Sequence, residues 1–128
     1  MNKSINIESY LKNFDPEKLT ESVITAGEEW ADEDAAASAL EETRKTLLAE
    51  ITLEVQAAAM VEKGAKLPIS QAEIRATADP RYREHIEQMV EHRKLANRAR
   101  VRYDLGKMRL ELMRSVQATL RNEMFMNR

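Results

Sequence analysis

Six residues punctuate this chain, and they leave little choice but helix. Its three prolines stand at 16, 68 and 80, and its three glycines at 27, 64 and 106. Turn-rich β folds break far more often than this. Between the breaks the chain is dominated by Ala, Leu, Glu, Arg and Met, which favour helix, and alternating strand formers are nearly absent. The expected fold is all-α: an elongated helical bundle or helical hairpin with a long C-terminal helix, completed by oligomerisation.

The breaks also place the elements. Asp15 suits a helix N-cap and Pro16 the first helical position, so an acidic helical region is expected over 16–63. Trp30 is its expected anchor, and Leu40, Leu47, Leu48, Ile51, Val55 and Ala58 form an apolar stripe. Gly64 fits a C-terminal cap and Pro68 blocks continuation. Ser70 with Glu73 has capping-box spacing and predicts a short helix over 71–78, within a connector spanning 64–79. Asp79 and Pro80 then open a basic helix expected over 80–125. At 1.5 Å per residue it extends on the order of 65 Å, so it is expected to break or to pack against other subunits. Residues 1–15 read as an N-terminal arm, with Ile5, Ile7, Tyr10, Leu11 and Phe14 irregularly spaced, and 16–128 as one helical domain.

The formal net charge of -2 conceals a division. Residues 1–80 carry 8 basic and 16 acidic side chains, whereas 81–128 carry 12 basic and 6 acidic ones. In the last helix the basic residues have a register. Arg93, Arg100, Lys107, Arg114, Arg121 and Arg128 recur every seventh position. They lie beside a seam of Ala96, Tyr103, Leu110 and Met124 with Ala99, Gly106, Met113 and Leu120. Val101, Leu105, Met108 and Leu112 read as a second apolar row that widens the buried face. The small residues of the seam invite close helix approach, so Ala96, Ala99, Gly106, Leu110, Met113 and Leu120 are the expected oligomer interface. Glu33, Glu41, Glu42, Glu50 and Glu54 of the first helix are the obvious partners for part of the basic column.

No catalytic signature stands out. There is no cysteine and no glycine loop to cradle phosphate. His85 and His92 lie seven apart without the one-turn spacing of a metal pair, so no metal or other cofactor is expected. Acidic pairs such as Glu29 with Glu33 and Glu28 with Asp32 are common on surface helices, and the dense Glu-x-x-Glu pattern of helical nucleotide pyrophosphohydrolases is not evident. No apolar run is long enough for a membrane span, and no signal pattern opens the chain. A cytoplasmic, non-enzymatic protein is expected, with no small-molecule substrate.

A nucleic-acid role has more in its favour. Arg98, Arg100, Arg102, Lys107 and Arg109 are the candidate phosphate contacts, and Tyr82 and Tyr103 are candidates for base stacking or for the core. The segment from Ala78 to Ser115 resembles small phage and prophage proteins encoded in recombination regions. The resemblance is carried by Tyr82, by Glu91-His92-Arg93, and by Ala96, Asn97, Ala99, Arg100, Val101 and Tyr103. Through Ala96, Ala99, Arg100 and Tyr103 the layout is similar, more loosely, to the helical recombination mediators of T-even phages. That likeness implies a host-cytosol oligomer that binds single-stranded DNA and helps load recombination or replication proteins. The alternative is a structural or protein-interaction module (a phage assembly factor, adaptor or inhibitor) whose basic residues serve contacts between helices.

Overall fold

A computed structural model describes residues 13–127. They form three helices and no strand: α1 over Pro16–Lys63, α2 over Ile69–Thr77 and α3 over Pro80–Met126. Ile5, Ile7, Tyr10 and Leu11 of the expected arm, and Arg128 of the basic column, lie outside the described residues.

The helix ends follow from local chemistry. Asp15 Oδ1 accepts the backbone N–H groups of Glu17 at 3.0 Å and Lys18 at 3.3 Å, two donors that α1 itself leaves without partners. Gly64 closes the other end of α1 at φ +69°, where its N–H reaches the Met60 carbonyl at 3.1 Å. Asp79 Oδ1 caps α3 by accepting the Arg81 N–H at 2.8 Å. The capping box expected from Ser70 and Glu73 does not form. Helix α2 begins earlier, with Pro68 at its N-cap and no side-chain cap bond. The Pro68 carbonyl accepts the N–H groups of Gln71 and Ala72, which puts Ser70 inside the first turn.

The chain divides into two compact units. One comprises Glu29–Arg98 and contains α2 with the adjoining segments of α1 and α3. Its core is small-grained: Ala37, Ile51, Ala59, Ala72, Ala76 and Ala96 are at most 5% exposed, and Ile51 is the bulkiest side chain wholly buried. The α1 stripe ends on Ala59 rather than on Ala58, which is exposed. Buried Thr52 donates its hydroxyl to the Leu48 carbonyl at 2.7 Å. The Gln56 amide donates to the Leu67 carbonyl at 3.3 Å and ties the connector back to α1.

The other unit comprises Met1–Glu28 with Ala99–Arg128. Among its described residues, Val23, Ala26, Ala99 and Met113 are buried. Here both helical glycines have a packing reason. A Cβ placed on Gly106 would lie 2.6 Å from Val23 Cγ2, and one on Gly27 would lie 3.3 Å from the Tyr103 ring. Val23 of α1 thus fits over Gly106 of α3, and Tyr103 of α3 fits over Gly27 of α1.

The packing of α3 bears on three expectations. Helix α3 does not break but runs continuously through Gly106, and segments of α1 pack on its seam in each unit. The seam assigned to an oligomer interface closes within the chain: Ala96, Ala99 and Met113 are at most 3% exposed, Gly106 meets Val23, and Leu110 is half-buried. Leu120 alone of that set stays exposed, at 37%. The second apolar row does not widen the buried face. Val101, Leu105, Met108 and Leu112 are 55–63% exposed, because at 100° per residue they fall on the side of α3 away from Ala99 and Tyr103.

Candidate nucleic-acid interface

The basic residues of α3 divide by the company they keep. Within Glu29–Arg98 several are bound to acids of α1. Arg93 Nη1 meets Asp34 Oδ1 at 2.6 Å and its Nε meets Glu41 Oε1 at 3.1 Å, and these hydrogen bonds hold its guanidinium more firmly protonated than usual. Arg81 donates to both carboxylate oxygens of Glu54, with Nη1 to Oε1 at 3.2 Å, and also to Asp79. The Arg81 hydrogen bonds hold the Glu54 and Asp79 carboxyls below their ordinary range.

The two histidines serve the same joint. His92 Nδ1 lies 2.6 Å from Glu33 Oε2, and His85 Nε2 lies 2.6 Å from the Leu40 carbonyl. A carbonyl oxygen only accepts, so His85 donates there. These contacts use Glu33, Glu41 and Glu54 from the expected acids, together with Asp34. Neither the His85 contact nor Asp34 had a signal in the sequence, since a helical carbonyl's orientation is set by the packing. Tyr82 is half-buried in this unit and Arg98 is exposed.

In the unit containing Ala99–Arg128 the column continues with Arg100, Lys107, Arg114 and Arg121, all exposed. Seven helical residues advance about 10.5 Å, so these four cations form a shallow ladder along one flank of α3. Arg100 lies 3.9 Å from Asp104 across one helical turn, a surface pair that leaves both groups hydrated. The Lys107 ammonium sits 5.3 Å from the centre of the Tyr103 ring. Tyr103 is thus half-buried between the Gly27 backbone and the Lys107 side chain, which favours a packing role over base stacking.

The sequence-derived phosphate contacts do not form one patch. Positions two apart on an α-helix point about 200° away from each other, so Arg100 and Lys107 share one flank while Arg102 and Arg109 share the opposite one. Arg109 also borders a cavity lined by Asn13, Phe14, Asp15, Lys18, Leu19 and Ser22. Arg114 and Arg121 extend the first flank and were already visible in the seven-residue repeat.

Among the described residues, no three His, Asp or Glu side chains gather where they could hold a metal ion, and no helix is long and apolar enough to cross a membrane. Comparisons with protein families, curated proteins and solved structures gave no match. The phage resemblance therefore rests on the residues quoted for it.

Proposed function

We propose that this protein is a non-enzymatic accessory factor that binds single-stranded DNA through the basic flank of α3, in the manner of a recombination mediator. The observation that carries the reading is the contrast along one seven-residue column. Arg93 is committed to Asp34 and Glu41 of α1, whereas Lys107, Arg114 and Arg121 are exposed to solvent and exposed Arg100 pairs with Asp104 of its own helix. Long cationic side chains at this spacing suit contacts to a flexible phosphate backbone, which adjusts to the ladder more easily than a rigid duplex does. Asp104 and Glu111 lie on the same side of α3, so the binding is modest in strength and sensitive to salt.

Fluorescence anisotropy with labelled single-stranded and duplex DNA at low salt tests this. The expected result is tighter binding of the single strand, weakened several-fold by Arg114→Glu with the fold intact. Absence of binding to single-stranded DNA at low salt sinks the proposal.

A further inference from the structure

We propose that the outer face of α3 pairs with the same face of a second copy, side by side and in parallel. Val101, Leu105, Met108 and Leu112 follow the 4-3-4 spacing of a coiled-coil seam, and each is more than half exposed. They belong to one unit and one helix, so the face does not depend on any arrangement between units. In this seam they occupy d, a, d and a. The flanking e positions are then Arg102 and Arg109, and the flanking g positions are Asp104 and Glu111. One edge is basic and the other acidic.

That asymmetry selects both the occupant and its direction. In a parallel pair each g position faces the e position five residues on in its partner, so Asp104 meets Arg109 of the other copy, twice by symmetry. In an antiparallel pair e faces e and g faces g. Arg102 would then meet Arg109, and Asp104 would meet Glu111, placing like charges together at both edges. A second copy laid in parallel therefore satisfies the apolar row and the charges at once. Only the sign of each charge sets this preference, and contacts of Arg102 or Arg109 within their own chain leave it unchanged.

The seam is short. Lys94 and Arg98 precede it at the equivalent positions, and Ser115 and Thr119 follow it. Two heptads fall below the three to four of a robust coiled coil, so the expected association is weak and concentration-dependent. It is independent of the nucleic-acid reading, since it requires no DNA.

The chain has no cysteine, which permits a direct test. Leu105→Cys and Met108→Cys are each made alone, with Glu62→Cys as a control for random collision, and each protein is oxidised at high concentration without DNA. In a parallel, in-register pair, residues 105 meet each other and residues 108 meet each other. Each seam variant alone is then expected to give disulfide-linked dimer well above the control. Cross-linking only in a mixture of the two seam variants indicates antiparallel pairing and overturns the proposal. Cross-linking no greater than the control, with wild type monomeric by light scattering at every concentration, overturns it as well and leaves the face to a different helical partner. The seam positions are exposed, so circular dichroism of each variant is expected to match wild type.

Discussion

Replacing Gly106 with Ala should have opposite effects in two backgrounds. In a helix interior Gly→Ala ordinarily stabilises by about 1 kcal/mol, because alanine gives up less backbone freedom on folding. At Gly106 the added methyl would lie 2.6 Å from Val23 Cγ2, well inside contact distance. Val23 is β-branched and in a helix, so its side chain has essentially one comfortable rotamer and does not swing aside cheaply. Overpacking of this kind costs roughly 1–3 kcal/mol, so Gly106→Ala is expected to be neutral to destabilising by about 2 kcal/mol. Val23→Ala removes the offending methyl. The remaining neighbours would be Val23 Cβ at 3.7 Å and Cα at 3.9 Å, which is ordinary contact. In that background Gly106→Ala should stabilise by about 1 kcal/mol. Urea unfolding followed by circular dichroism, run as a double-mutant cycle, reads the coupling directly. Equal stabilisation by Gly106→Ala in both backgrounds would refute the close approach of Val23 to Gly106.

Other expectations follow from the same geometry. Ile51→Ala removes the largest fully buried side chain among the described residues and should cost about 2–5 kcal/mol in urea unfolding. Ala99→Leu should destabilise by roughly 1–3 kcal/mol because Ala99 is 1% exposed, whereas Leu105→Ala at low protein concentration should stay within about 0.5 kcal/mol. Glu54 and Asp79 titrate below their ordinary values because of Arg81, so their link contributes to stability above the ordinary carboxylate range and is lost as pH falls through their lowered values. The difference in urea midpoint between wild type and Arg81→Ala, small because Arg81 and Glu54 are exposed, should therefore be present at pH 7 and shrink in acid; a difference that grows in acid contradicts the assignment.

Much of the fold was legible because its boundaries are set by short-range chemistry. Asp15-Pro16, Gly64 with Pro68, and Asp79-Pro80 act within one or two turns, and each sits at a helix end. The Ser70–Glu73 pattern misled because Pro68 had already set the entry to α2, leaving Ser70 no role as a cap. The seven-residue repeat correctly marked Ala96, Ala99 and Met113 for burial. It did not say against what, since a seam facing the chain's own α1 and one facing a second copy have the same spacing. Val101, Leu105, Met108 and Leu112 were placed in the core by their hydrophobicity alone, although their angular position opposes the seam. Val23 had no signal of its own, and only the glycine across from it hinted at a close contact. The division of the basic column after Arg93 depends on where α1 places Asp34 and Glu41, which is a matter of tertiary register rather than local pattern.

The central claim is that exposed members of the basic column bind single-stranded DNA while Arg81 and Arg93, bound to acids of α1, serve the fold. The measurement that tests it most directly is the salt dependence of binding to a labelled single strand. Four phosphate contacts predict a slope of about -2.8 in log affinity against log salt concentration. Replacing Arg100, Lys107, Arg114 and Arg121 together with Ala should remove most of that slope, whereas replacing Arg81 and Arg93 should leave it close to wild type in protein shown to be folded. Equal loss of slope in the two variants, or a slope unchanged when the four-residue column is removed, would contradict the account.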